Sequence, residues 1–307
     1  MPEPERSSRR GRPDVAGFFD AATNSVQYVV TDPATRCAAI IDPVLDFDPT
    51  SGGVSTRSAD ALLDYVARHG ATLQHILDTH PHADHLSAAG HLRDKTGVPI
   101  ATGARVVDVQ RLWRDIYNLP PDFPVDGSQW DRLFTDGERF TIGEIDVDVL
   151  FTPGHTLASV AFVAGDAAFV HDTVFMPDGG TARADFPGGC ARTLWRSIQR
   201  LMALPDATRL FTGHDYCPGG RPPRWESTVA EQKAHNAHLV GQTEDTFVAM
   251  REARDRTLPL PALMLHALQV NIRGGRLPEP EDNGRRYLKI PLGAPGLGGE
   301  EVAEPAS

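Results

Sequence analysis

Three histidines and one aspartate fall within six residues of this chain, in the stretch Thr79-His80-Pro81-His82-Ala83-Asp84-His85. The apolar run at 73–78 before it predicts a buried strand, and the run at 86–95 after it predicts a helix. A core histidine is usually alone, and a solvated loop has no need of three. Because imidazole and carboxylate groups are standard ligands of zinc and iron, the stretch predicts a metal site on a strand-to-helix loop.

Three further segments have a common form, in which an apolar strand is followed by a candidate ligand. They are Phe151-Thr152-Pro153-Gly154-His155-Thr156, Phe169-Val170-His171-Asp172-Thr173 and Leu210-Phe211-Thr212-Gly213-His214-Asp215-Tyr216. His155, Asp172 and His214 would each stand at the end of a strand, where loops converge and active sites form. His155 or His214 alone is equally compatible with a structural role, but the four segments in this order predict one composite metal site.

Strand and helix signals alternate along the rest of the chain. Strands are predicted at 25–30, 37–41, 99–102, 145–152, 159–163, 167–170 and 209–212, and helices at 58–69, 105–113, 192–204, 227–240 and 246–256. The segment 118–129 contains three prolines and is predicted to be a loop, which makes it a candidate lid. This order of elements predicts two sheets packed together with helices outside them. The sequence has no GxGxxG or Walker motif, so a nucleotide cofactor is not expected.

The composition is that of an ordinary globular protein, with 307 residues, 40% hydrophobic and 23% charged side chains. The net charge of −11 disfavours nucleic-acid binding. No run approaches the roughly 18 apolar residues of a membrane span, so no membrane association is expected. Cys37, Cys190 and Cys217 are widely spaced and form no CxxC motif, which is typical of a reducing compartment.

The two ends of the chain differ in composition from the rest. Residues 1–13 and 293–307 are rich in Pro, Gly, Glu and Ser and are predicted to be disordered. The N-terminal stretch carries no apolar segment of a secretory signal, so a cytoplasmic location is expected.

The order THPHADH, TPGHT, an aspartate after an apolar strand, and GHDY resembles the metallo-β-lactamase superfamily over roughly residues 15–240. The resemblance implies an α/β fold, a four-layer αββα sandwich with the metal site at one edge of the paired sheets. It also implies a single domain at 14–292, with a C-terminal helical extension from about 241.

In the superfamily pattern, one metal would bind His80, His82 and His155, and a second would bind Asp84, His85 and His214, with Asp172 between them. Seven candidate ligands alone favour two Zn(II) ions and a hydrolase of the glyoxalase II or thioesterase type, acting on acyl-glutathione thioesters. Asp84 would then be a catalytic residue that orients the attacking hydroxide.

The segment after Asp172 favours another branch of the superfamily. Arg183-Ala184-Asp185-Phe186 and Gly188-Gly189-Cys190-Ala191-Arg192-Thr193-Leu194 resemble the persulfide dioxygenases, although Ala184 replaces a threonine of their pattern. This resemblance implies one Fe(II) per chain, bound by His80, His155 and Asp172 as a two-histidine, one-carboxylate set. His82, Asp84, His85 and His214 would be additional metal-binding or ligand-orienting groups. Glutathione persulfide and O₂ would be the substrates, and sulfite and glutathione the products.

The C-terminal part resembles a particular bacterial subgroup. The segments 269–278 and 287–291 are similar to the end of bacterial β-lactamase-like hydrolases. A homodimer is the expected assembly if the chain assembles at all.

Arg183 and Tyr216 are the candidates for substrate binding, and Tyr216 is also a candidate catalytic residue. Arg183 could instead form a salt bridge with Asp185, and Tyr216 could serve in packing. Cys190 stands at a Gly-Gly turn before a helix, where a thiolate could be stabilised, but no base is assigned to it, so an incidental thiol is favoured. His171 occupies a position where the family commonly has glycine.

A noncatalytic sulfur sensor with the same fold is a further hypothesis. It is disfavoured because a pure binding module has no need of a complete set of metal ligands.

Overall fold

The structure is a computed structural model that describes residues 11–293. The predicted disordered tails lie outside the described residues, except for 11–13 and 293. The strands, in chain order, are β1 (Asp14–Asp20), β2 (Ser25–Thr31), β3 (Cys37–Ile41), β4 (Val44–Asp48), β5 (Gly53–Ser55), β6 (Thr72–Leu77), β7 (Leu86–Ser87), β8 (Ile100–Gly103), β9 (Arg132–Phe134), β10 (Arg139–Ile142), β11 (Ile145–Phe151), β12 (Val160–Ala164), β13 (Ala167–His171), β14 (Arg209–Thr212) and β15 (Glu226–Thr228). The helices are α1 (Arg57–Arg68), α2 (Ala89–Thr96), α3 (Val106–Ile116), α4 (Ala191–Met202), α5 (Val229–His235), α6 (Glu244–Asp255) and α7 (Met264–Asn271).

Two six-stranded sheets make up the centre of the molecule. The first has the order β1-β2-β3-β6-β8-β9, and the second runs from β10 to β15 in chain order. In the first sheet β1, β2 and β3 pair antiparallel, whereas β3, β6, β8 and β9 pair parallel. Parallel neighbours need a long crossover, and α1, α2 and α3 provide the three crossovers here. In the second sheet only β13 and β14 are parallel, and α4 connects them.

The two sheets bury an aromatic core between them. Tyr28 and Phe134 from the first sheet meet Phe162, Phe169 and Phe211 from the second, and all five are almost fully buried. Side chains alternate across a strand, so β2 sends Val26, Tyr28 and Val30 into this core and Val29 to the opposite face. The opposite face is also covered, and β2 is therefore buried along its whole length.

Helices cover both outer faces of the sheet pair. One cluster of buried side chains joins the first sheet to α1, α2, α3 and α7, and another joins the second sheet to α4, α5 and α6. The helices α1, α3 and α4 each present one apolar stripe, which in α4 consists of Leu194, Ile198 and Leu201. The predicted αββα sandwich is thus confirmed. None of the described helices is long and apolar enough to cross a membrane.

Two predicted helices begin with residues that form a strand in the structure. The prediction over 86–95 was wrong at its start, because Leu86 and Ser87 pair with β4 as β7 and the helix begins at Ala89. The prediction over 227–240 was too long, because Glu226–Thr228 pairs with β14 and the helix then ends at His235. Thr228 caps that helix through a reciprocal capping box with Glu231, which fixes the point where strand gives way to helix. The predicted loop at 118–129 contains no regular element.

Candidate metal centre

The ligand candidates come from strands of both sheets and meet at one edge of the sandwich. The His80–His85 loop follows β6 of the first sheet. His155 follows β11, Asp172 follows β13 and His214 follows β14, all in the second sheet. Because the sheets pack face to face, the loops after these strand ends converge.

His80, His155 and Asp172 form the first group of candidate ligands. One ligand atom from each lies within 4.8 Å of the others. Asp172 Oδ2 is 3.4 Å from His155 Nε2 and 3.9 Å from His80 Nε2. All three side chains are buried, so the group is shielded from bulk water.

Asp84, Asp172 and His214 form a second group on the other side of the same carboxylate. His214 Nε2 lies 3.3 Å from Asp84 Oδ2 and 3.4 Å from Asp172 Oδ2. Asp172 is therefore shared by the two groups, and its Oδ2 lies within 3.9 Å of imidazole nitrogens from both. His82, Asp84 and His85 form a further group with ligand atoms within the same distance of one another.

The hydrogen bonds of His80 and His155 leave the same nitrogen free on each ring. The Thr79 hydroxyl donates to Asp42 Oδ2 over 2.9 Å, so it accepts from His80 Nδ1, which lies 3.0 Å away. The Arg183 carbonyl oxygen can only accept, and His155 Nδ1 donates to it over 2.8 Å. With its Nδ1 protonated, each neutral imidazole presents the lone pair of Nε2 to the site.

Several buried imidazole nitrogens have no hydrogen-bond partner within residues 11–293. Among the candidate ligands they are His80 Nε2, His82 Nδ1, His85 Nε2 and His214 Nδ1, and outside that set they are His91 Nε2, His171 Nε2 and His266 Nδ1. A buried polar atom without a partner is destabilising, and coordination to a metal ion would use the lone pairs. The nitrogen and carboxylate donor set fits a transition metal such as zinc or iron.

The pKa shifts of His80 and Asp172 in the first group, and of the neighbouring His82, also suit the binding of a cation. Burial lowers the pKa of His80 well below its usual value, and burial with the charge of His85 lowers the pKa of His82 to about 4. Burial alone would raise the pKa of Asp172, but the charge of His214 and a hydrogen bond from His171 outweigh it and hold it well below the usual range. Neutral imidazoles beside an ionised carboxylate are the protonation states that metal binding requires.

His214 has the opposite shift. Its burial would lower its pKa, but Asp172 and Asp84 beside it raise the pKa well above the usual value. A metal ion that bound His214 would therefore displace a proton from its ring.

Asp42 is a supporting residue that the sequence analysis missed. It is buried and accepts from the Thr79 amide over 2.7 Å, while His82 Nε2 and His171 Nε2 lie 2.9 and 3.0 Å from its two oxygens. It follows the apolar strand β3, in the same strand-then-aspartate pattern that marks Asp172. A search for aspartates directly after apolar strands could therefore have identified Asp42 from the sequence. His171, noted above for its position, joins the two carboxylates, because its Nδ1 lies 3.2 Å from Asp172 Oδ1.

The two substrate-binding candidates have different surroundings. Arg183 makes a two-pronged ion pair with Asp185, with distances of 2.7 and 2.8 Å, and donates to the Pro259 carbonyl over 2.6 Å. The Arg183 side chain thus forms the salt bridge with Asp185 that was the alternative to substrate binding. The Arg183 backbone carbonyl accepts from His155. Tyr216 is 59% exposed, and its ring is parallel to that of His214 at a centroid distance of 5.5 Å. Tyr216 therefore lies between the second group and solvent.

The cysteines and the proline-rich loop have different surroundings. Cys37, Cys190 and Cys217 are all free thiols. Cys190 is exposed at the start of α4, and its amide donates to the Gly154 carbonyl next to His155. The loop at 118–129 contacts Gln110 of α3 and Arg273 beyond α7.

A family model described as the metallo-beta-lactamase superfamily matches residues 24–214, a range that contains all the candidate ligands. The chain is 67% identical over 280 residues to a beta-lactamase hydrolase-like protein of Agrobacterium fabrum, covering 91% of this chain and 65% of that protein. The chain thus spans about two thirds of the length of that relative.

Two other relatives have more specific names. A glyoxylase B2 of Dictyostelium discoideum is 45% identical, with 93% of this chain and 98% of the relative covered. Persulfide dioxygenase ETHE1 of Bos taurus is 30% identical, with 84% and 87% covered. Among solved structures, that of ETHE1 from Myxococcus xanthus is similar with a TM-score of 0.69 and 31% identity, covering 86% of this chain and all of the other.

Proposed function

The chain belongs to the metallo-β-lactamase superfamily, whose members are metal-dependent enzymes, and on that premise we propose that it is an Fe(II)-dependent dioxygenase that converts glutathione persulfide, O₂ and one water molecule to sulfite and glutathione. The observation that carries the proposal is the buried group of His80, His155 and Asp172, with both imidazoles fixed to present Nε2. A two-histidine, one-carboxylate set is typical of non-haem iron oxygenases. The iron would supply the redox chemistry between O₂ and the sulfur.

The residues of the chain have separable roles in this proposal. Thr79 and the Arg183 carbonyl hold the two imidazoles in the tautomer that a metal needs. The buried surroundings of the group keep bulk water from it. Tyr216, which lies at the solvent side, would contact the incoming thiol, and Arg183 would help to place it.

Two kinds of similarity to the persulfide dioxygenases support this reaction, one over most of the chain and one in a short segment at the candidate metal centre. The similarity to ETHE1 extends over most of the chain in both sequence and structure. The Arg183–Phe186 segment, which resembles that branch, directly contacts the metal centre because its first carbonyl accepts from His155.

A dinuclear zinc hydrolase of acyl-glutathione thioesters is the second candidate. It is favoured by the second group, in which Asp84, His214 and the shared Asp172 could hold another ion. The similarity to a glyoxylase B2 agrees with it. Asp84 would orient the attacking water in that case.

The two candidates are separated by loading the metal-free chain with either Fe(II) or Zn(II) under anaerobic conditions. Each form is then given glutathione persulfide with O₂, and separately an acyl-glutathione thioester. The proposal expects O₂ uptake with sulfite formation in the iron form and negligible thioester hydrolysis in either form. Thioester hydrolysis by the zinc form without O₂ uptake by the iron form would establish the hydrolase instead.

A further inference from the structure

Asn271 lies at the end of α7, outside the range that the family model matches, yet it contacts the metal-binding loop. Its side-chain amide donates to the carbonyl oxygens of His82 over 2.7 Å and His85 over 2.8 Å. Its Oδ1 accepts from the Ser87 amide over 2.8 Å. The side chain is 2% exposed, and three hydrogen bonds to backbone groups of one loop engage both its donors and its acceptor.

The chemistry of the side chain matches this position closely. The two carbonyls lie in the loop that follows β6, and the amide belongs to Ser87 of the short strand β7, so Asn271 bridges the loop and the strand that ends it. An alanine at 271 would leave all three groups without that partner in a buried place, where each unmet group is destabilising. Three simultaneous bonds also fix the path of the loop, which a single bond would not do.

The helix that carries Asn271 is itself firmly held. Met264, Ala267, Leu268 and Val270 are buried in the cluster that joins α7 to the first sheet. Gln110 of α3 donates to the Ile272 carbonyl over 2.9 Å. A fixed helix is a suitable support for a loop whose side chains must keep a precise geometry.

The turn after α7 also approaches α2 very closely. A Cβ atom on Gly90 of α2 would lie only 2.9 Å from the Gly274 carbonyl oxygen, so this approach requires glycine at position 90. The C-terminal segment therefore contacts both the loop after β6, through Asn271, and the helix α2 that follows this loop, through Gly274.

We propose that Asn271 is a positioning residue of the metal centre, which fixes the His82–Ser87 backbone so that His82, Asp84 and His85 face the metal. The proposal rests on the metal centre of the proposed function, but not on whether the reaction is oxidation or hydrolysis. Supporting groups of this kind typically change metal affinity by about 10–100-fold.

Gln269 provides a matched control on the same helix. It is also 2% exposed, but its amide exchanges hydrogen bonds with Lys289, donating to the carbonyl over 2.6 Å and accepting from the amide over 2.8 Å. Gln269→Ala therefore removes a comparable buried amide from α7 without touching the metal-binding loop.

The test measures the dissociation constants of Zn²⁺ and Co²⁺ by chelator competition, with the visible spectrum of the Co²⁺ form and thermal unfolding of the metal-free protein. Asn271→Ala is expected to weaken metal binding at least about tenfold and to change the Co²⁺ spectrum, while Gln269→Ala leaves both near wild type. If Asn271→Ala does not fold, Asn271→Ser, which keeps one donor, is measured for a change in the same direction.

Unchanged metal binding in the Asn271 variants, or an equal weakening in Gln269→Ala, would overturn the proposal. Neither result depends on catalysis, so failure of this proposal is distinguishable from failure of the dioxygenase proposal, in which metal binds normally but no O₂ is consumed.

Discussion

His155 and Arg183 are joined by a hydrogen bond of 2.8 Å from the imidazole Nδ1 to the backbone carbonyl oxygen. This bond links a candidate metal ligand after β11 to the segment that resembles the persulfide dioxygenases. Because the acceptor is a backbone atom, the bond survives substitution of the Arg183 side chain. The role of the side chain and that of the backbone can therefore be tested separately.

The two ligand groups predict different consequences for two histidine substitutions. His155→Ala removes a ligand of the first group and is expected to lower the iron content by on the order of tenfold or more. His214→Ala removes a candidate ligand of the second group and touches the first group only through Asp172, so it should retain more iron than His155→Ala. Elemental analysis after anaerobic loading measures both variants. Equal iron loss in the two variants would contradict the assignment of the iron to the first group.

The role of the Arg183 side chain is tested by comparing Arg183→Ala with Asp185→Ala. Both variants break the ion pair between these residues, but only the first removes the guanidinium. Substrate placement by Arg183 predicts a larger rise in KM for glutathione persulfide in Arg183→Ala than in Asp185→Ala. Identical kinetics in the two variants would show that the ion pair acts only by shaping the loop.

Tyr216 is expected to contribute to substrate binding without contributing much to stability. Tyr216→Ala removes an exposed ring, so its free energy of unfolding should stay within about 0.5 kcal/mol of wild type. Loss of an aromatic contact worth about 0.5–1.5 kcal/mol predicts about a two- to tenfold rise in KM. Tyr287, which is 45% exposed in the C-terminal segment, is the matched control. A rise in KM for Tyr287→Ala as large as that for Tyr216→Ala would contradict a specific role of Tyr216 in substrate binding.

Arg251 and Asp255 form a buried ion pair in α6, with a distance of 2.6 Å. Asp255 also accepts from the Ala184 amide over 2.9 Å, next to the residue that holds His155. Asp255→Ala would leave the Arg251 guanidinium buried without its partner and is expected to lower the free energy of unfolding by about 3–5 kcal/mol. Denaturant titration measures this loss. The double variant Arg251→Met with Asp255→Leu should lose less, and a larger loss there would contradict the explanation.

His238 should make stability sensitive to mild acid. Burial and the nearby charge of Arg251 lower its pKa from 6.5 to about 4, and its Nδ1 accepts from the Thr181 amide over 3.0 Å. The unfolded chain therefore binds more protons between these two pH values, and the contribution of His238 to stability is present above pH 6.5 and lost as the pH falls towards 4. His238→Asn keeps an acceptor but cannot be protonated, so its unfolding midpoint should fall less over this range. Parallel pH profiles for the two proteins would refute the assignment.

The metal-binding loop illustrates what a local sequence can predict. Four candidate ligands lie within six residues of it, namely His80, His82, Asp84 and His85. A loop without a metal has little need of this combination of side chains, so the segment alone predicts a metal site. The strand-then-ligand pattern extended the site to residues far along the chain. The same alternation of strands and helices predicted the two packed sheets, because each element carries its own periodicity.

Asn271 illustrates what local sequence could not predict. Its partners His82 and Ser87 are 189 and 184 residues away, and nothing in the segment around it signals that contact. The C-terminal extension from about 241 was expected to be helical, but α7 itself was not predicted, because it is buried on most sides and lacks the amphipathic stripe of a surface helix. The start of α2 was misplaced for a related reason, since β7 exists only through its pairing with the distant β4.

The most direct test of the dioxygenase proposal is the metal content of the chain purified without oxygen, paired with the ratio of O₂ consumed to sulfite formed from glutathione persulfide. We predict about one iron per chain and about one O₂ consumed for each sulfite. Two zinc ions per chain and no O₂ consumption after iron loading would contradict the account.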